Sequence, residues 1–193
     1  MSTVNERLTE AVLSLGADRA AVIPAHEVVT DSAFRPMCEA NTCGKYGKCY
    51  MCPPDVGEID TLIASLESYS SVLVYQRVEP LEDSFDVEGM HRARIVMFRL
   101  AQALRDRVKD IGITHVLHLT AGACGVCRVC AKEEGLPCRV PDRATSSLEA
   151  YGIHVSRLAE SAGMRYINGE NTVTYFGAVF FTPTETEKEE SAC

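Results

Sequence analysis

Apolar residues recur at helical spacing near the start of the chain. Leu8, Val12 and Leu15 share one face and Gly16 follows, so residues 5–15 read as a helix. Arg19 to Ile23 is a short apolar run closed by Pro24 and predicts a strand, and His26 to Phe34 predicts another. Glu58 to Ser68 puts Ile59, Leu62, Ile63 and Leu66 on one helical face, and the β-branched run Val72 to Val78 reads as a strand. From Val87 to Asp110 there is no proline and only Gly89. A stripe of Met97, Leu100, Ala101, Leu104, Val108 and Ile111 opposes Arg92, Arg99, Asp106 and Lys109, which predicts one long amphipathic helix ended by Gly112.

Thr114 to Leu119 predicts a strand. Ser146 or Ser147 is placed to cap a helix running to Ser161, with Leu148, Tyr151, Val155 and Leu158 inward. Arg165 to Ile167, a turn at Asn168-Gly169, and Thr172 to Phe181 read as a hairpin. Strand and helix patterns alternate, so the expected fold is α/β: a single domain over residues 1–182 with helices packed on a mixed β-sheet and two cysteine-rich metal-binding loops. Residues 183–193 are polar and acidic and read as a disordered tail that can be deleted without loss of metal or stability.

A chain of 193 residues buries roughly 70% of its unfolded surface, so metal is not needed merely to make so large a domain fold. A net charge of −8 and a pI near 5.2 argue against nucleic acid or an anionic membrane as partner. No apolar run approaches the length of a membrane span, and the N-terminal stretch carries Glu6, Arg7 and Glu10 rather than an export signal. The expected location is therefore the cytoplasm. There disulfides are disfavoured, and nine cysteines read as ligands or reactive thiols.

Two stretches escape both periodicities, and both are rich in cysteine. Residues 35–57 hold Cys38, Cys43, Cys49 and Cys52 among Gly44, Gly47, Pro53, Pro54 and Gly57, a composition that needs something to order it. The second group is Cys124, Cys127 and Cys130, evenly spaced by two residues, with Cys138 beyond. A tight turn can aim three such thiolates at one point, with its amides directed at their sulfur. Zinc takes cysteines in pairs, and Cys49/Cys52 or Cys127/Cys130 would serve as half-sites. An evenly spaced run of three is the habit of cubane iron–sulfur clusters, which places one or two [4Fe-4S] clusters ahead of zinc. Pro53-Pro54 after Cys52 and Pro137 before Cys138 fix the backbone around two of these thiols.

Arg128, Lys132, Arg139 and Arg143 flank the second group, where cations offset the charge of a thiolate-bound centre or are ordinary surface charge. His115 and His118 lie three apart on a predicted strand, so they face opposite ways and are not a chelate. Cys193 reads as a dispensable thiol. The chain has no dinucleotide fingerprint, phosphate-loop lysine or serine elbow.

Beyond the cysteine spacing, the stretches Gly135-x-Pro137-Cys138-Arg139-x-Pro141 and Ser147-x-Glu149-Ala150-Tyr151-Gly152-Ile153 resemble the family called domain of unknown function 2284. Cys43, Tyr46-Gly47-Lys48, Cys52-Pro53-Pro54 and Val173-Thr174-Tyr175 fit the same pattern. The resemblance implies metal binding through these cysteines and leaves the activity open. Cys49 is outside its quoted motifs, so serine at 49 is expected to be the mildest of the eight substitutions. The first expectation is an electron-transfer or redox accessory module with a redox partner protein. The alternatives are a zinc-stabilised adaptor, and an enzyme whose incompletely ligated cluster binds substrate at an open iron.

Overall fold

The computed structural model describes residues 3–113 and 115–183. The tail from residue 184, with Cys193, lies outside them, as does Thr114. Five strands form one mixed sheet: β1 (Arg19–Pro24), β2 (Ser71–Pro80), β3 (Val116–Thr120), β4 (Ser146–Ser147) and β5 (Thr172–Phe181). Their order is β1-β2-β5-β3-β4, antiparallel throughout except for the parallel pair β3/β4. The helices are α1 (Val4–Ser14), α2 (Phe34–Glu39), α3 (Ile59–Ser65), α4 (Val87–Ile111) and α5 (Val155–Ser161).

The two-residue period of the strands divides the core. Leu73, Tyr75, Val179 and Phe181 face α1 and α4, meeting Leu8, Val12, Met97, Leu104 and Val108. Val72, Val74, Phe176, Ala178 and Phe180 face the other way, onto Leu66, Leu148, Ile153 and Leu158. Thr3 and Glu6 form a capping box at the start of α1, and Asp86 caps α4 by accepting from the Gly89 amide at 2.7 Å. Gly112 closes α4 at φ 94°, where a side chain would be strained.

Five sequence readings are corrected. His26 to Phe34 is not a strand: Ala25–Glu27 is a 3-10 turn and Thr30 makes a single bridge to Ile153. The Asp31 carboxylate accepts from the Ala33 amide at 2.8 Å, and this local turn leads into α2. That helix shows residues 35–57 to be less irregular than expected; Pro36 sits in its first turn, where a missing amide costs nothing.

Ser146 to Ser161 is not one helix. Ser146–Ser147 pairs with β3, the Ser147 hydroxyl accepts from the Ala150 amide at 3.1 Å within a short turn, Glu149–Tyr151, and Gly152 at φ 69° ends that turn before α5. The C-terminal hairpin is absent. Asn168 donates to the Arg165 carbonyl at 3.0 Å, a local bond in place of a ladder, and β5 pairs with β2 and β3 instead. Finally, β3 starts after His115, whose ring stacks on Tyr69 with centroids 4.6 Å apart.

Candidate metal centre

β3 ends at Thr120 and delivers the second cysteine loop to the end of the sheet, between α4 and β4. Gly125 packs on the Phe98 ring of α4, and a Cβ there would come within 3.3 Å of it. After Cys130 the chain makes a 3-10 turn, Ala131–Glu134, closed by Gly135 at φ 68°, and the Leu136 amide returns to the Ala131 carbonyl at 3.0 Å. This fold-back brings Cys138 to the preceding three cysteines.

The first cysteine loop docks on the second. The Tyr50 hydroxyl donates to the Leu136 carbonyl at 2.8 Å, Lys132 pairs with Asp55, and the buried Ser146 hydroxyl donates to the Met51 carbonyl at 3.1 Å. The Pro53-Pro54 bond beside Cys52 is cis. Docking regroups the eight thiols. Cys49, Cys124, Cys127, Cys130 and Cys138 together line one small cavity of about 20 Å³. Cys38 and Cys43 line a different one, of about 390 Å³, and Cys52 lies within charge-interaction range of both. Cys49 thus joins the second group at its cavity while keeping its hydrogen bonds to Cys52 and the Met51 amide, so it links the two groups.

Cys49 is the most enclosed of the eight, 3% exposed. A hydrogen bond from the Cys52 thiol, the Met51 and Cys124 amides and a further bond from Cys130 bring its thiol down to about 6, against the opposing effect of burial. Cys52, which supplies the first of those bonds and is half-buried, is pushed up by that bond and then by its burial. Burial raises Cys124, offset in part by the amides of Val126 and Thr145. These inward amides are the arrangement that a charged sulfur centre needs.

Two arginines missed by the sequence reading attend these groups. Arg105 donates to the carbonyls of Asp142 and Ala144 at 3.2 and 3.3 Å and to the Thr145 hydroxyl at 3.0 Å, which holds the segment whose amide reaches Cys124. Arg35 lies close enough to Cys38 for its charge to offset the rise that burial causes there, and its Nε and Nη2 are buried with no hydrogen-bond partner. No spacing rule points to either, since both act across the fold. Three of the four flanking cations noted in the sequence are neutralised by carboxylates: Lys132 by Asp55, Arg139 by Glu134 and Arg143 by Asp106. His118 is buried on β3, 6% exposed, with no hydrogen-bond partner for its Nδ1 among the described residues, and lies within charge-interaction range of Arg105 and Lys109 of α4.

Among the described residues no three His, Cys, Asp or Glu side chains are gathered tightly enough to hold a single metal ion. The donor set nonetheless fits a soft centre: thiols without a carboxylate around Cys49, inward amides, and at Cys38 a guanidinium whose orphaned donors would be satisfied by a bound anionic centre.

The family described as "Predicted metal-binding protein (DUF2284)" matches residues 21–181, and the chain belongs to it. No curated protein and no solved structure matches the chain. No helix among the described residues is long and apolar enough to cross a membrane.

Proposed function

We propose that this protein is an iron–sulfur protein serving as an electron-transfer or redox accessory module for a partner protein in the cytoplasm. The observation that carries the reading is the meeting of five thiols from two distant loops on one cavity, more sulfur than one tetrahedral ion accepts. Cys124, Cys127, Cys130 and Cys138 would hold one cubane centre, with Cys49 beside it. Cys38, Cys43 and Cys52 would hold a second. Bound clusters supply one-electron redox chemistry. The chain's own part is to keep the two thiol groups adjacent through the Cys49–Cys52 contact, to aim amides at sulfur, and to exclude water around Cys49.

A second reading has its own observation in its favour. Cys38, Cys43 and Cys52 make three thiols where a cubane takes four ligands, and the cavity beside Cys38 and Cys43 is also lined by Glu149, His154 and Ser156. An enzyme that binds substrate at the fourth position would use that cavity. Oxygen-free purification followed by iron, zinc and sulfide analysis tests the proposal. The expected protein is brown, absorbs broadly near roughly 400 nm and contains acid-labile sulfide. Colourless protein with stoichiometric zinc and no sulfide refutes it and leaves the zinc-stabilised adaptor.

A further inference from the structure

Beside the second cysteine loop, α4 presents Arg94 and Phe98 one turn apart, with Ile95 and Arg99 in the next row. Together with Arg143 and the backbone of Gly125 these enclose a cleft of about 470 Å³, within the range of small-molecule sites. Its cations are three guanidiniums and none of its lining residues is acidic, on a chain whose net charge is −8. Part of that charge is already engaged: Arg143 pairs with Asp106 at 3.0 Å, and Arg94 makes a long bond of 3.5 Å to the Ala123 carbonyl. Arg99 has no ion-pair partner among the described residues. Phe98 and Ile95 give the cleft an apolar floor. Gly125 keeps it open, since the cleft passes over a backbone without a side chain.

We propose that this cleft binds a small organic or inorganic polyanion, one carrying at least two carboxylate or phosphate groups. Guanidinium is the side chain that meets both groups bidentately, and two or three of them converging across a cleft select an anion with more than one charged end. The apolar floor accommodates a short carbon skeleton between those ends. The site lies against Gly125 and Val126, between Cys124 and Cys127, so an occupant adds negative charge next to the five-thiol group and stiffens the loop that carries it. The proposal stands on the cleft alone and is independent of which metal the thiols hold.

The test is calorimetric titration of the full chain as purified without oxygen, with citrate, pyrophosphate and inorganic phosphate in turn, at one ionic strength of about 0.15 M maintained with chloride. Citrate or pyrophosphate is expected to bind saturably at one site per chain. Arg99→Ala and Arg94→Ala should each weaken binding about tenfold, with Arg99→Lys intermediate because it keeps charge but loses the fork. Arg157→Ala, an exposed arginine of α5 paired with Glu160, is the control and should bind as wild type. Arg99 is exposed, so its variant keeps the fold, checked by an unchanged melting temperature. Absence of saturable binding by both polyanions overturns the proposal, as does equal weakening in Arg99→Ala and Arg157→Ala. Binding of a polyglutamate peptide in place of either small anion also overturns it, in favour of an acidic protein surface.

Discussion

Gly177 lies at the centre of β5, opposite Tyr75 of β2 on the face that receives α4. A Cβ added there would lie 2.4 Å from Tyr75 Cζ, 2.5 Å from its hydroxyl oxygen and 2.8 Å from Met97 Cε. Carbon atoms at rest stand about 3.5–4.0 Å apart, so the overlap with the ring exceeds ~1 Å. Met97 can swing its terminal methyl away. Tyr75 cannot: it is 1% exposed and enclosed by the same cluster. Overpacking of this kind costs ~1–3 kcal/mol, and the rigid ring puts Gly177→Ala at the upper end, about 3 kcal/mol. For a chain of this size each kcal/mol lowers the melting temperature by about 2–4 °C, which gives a drop of about 6–12 °C. Circular dichroism melting under nitrogen measures it. Gly177→Ala combined with Tyr75→Leu should be less destabilised than the sum of the two single variants, because the clash partner is gone. A Gly177→Ala melting temperature within ~1 °C of wild type, or strict additivity in the double variant, would refute the packing argument.

Other expectations concern the thiols, the docked loop and pH. Cys49→Ser should lose a clear part of the metal per chain, less than the ligand variant Cys127→Ser but more than the mild effect expected from sequence motifs, because the Cys49 thiol is enclosed beside the centre and hydrogen-bonded to both groups; near-normal metal content would show that Cys49 only fills space. Ser146→Ala removes the bond to the Met51 carbonyl and should cost about 1 kcal/mol, seen as a melting temperature lower by about 2–4 °C. His118 is held neutral in the fold, its pKa lowered to about 3 by burial and then by Arg105 and Lys109. The unfolded chain takes up the proton below about pH 6.5, so this histidine's contribution is complete above that pH. Stability should then fall by about 1.4 kcal/mol per pH unit as pH drops toward 3. His118→Gln should flatten that slope between pH 6.5 and 5.5, where few carboxylates titrate, as read by urea unfolding at each pH.

The periodic elements were legible because their determinants are local. The stripe from Met97 to Val108 needs only a 3.6-residue repeat, and α4 spans Val87–Ile111. The alternation that sends Val72 and Leu73 to opposite faces is likewise written along β2. Short runs were misread where a side chain offered the backbone a nearer partner than the sheet or helix: Asp31 before α2, Ser147 before α5, and Asn168 before β5. The two cysteine loops were legible as departures from both periodicities, but how they meet was not. Spacing places Cys49 beside Cys52, which it touches, while the docking of Tyr50 on Leu136 and of Met51 on Ser146 also brings it to the cavity of Cys124, Cys127, Cys130 and Cys138. The roles of Arg35 and Arg105 arise in the same way. Side-chain type and interval along the chain determine which residues can ligate or cap, while which of them share a cavity depends on contacts between segments far apart in sequence, and those exist only once the sheet has brought the loops together.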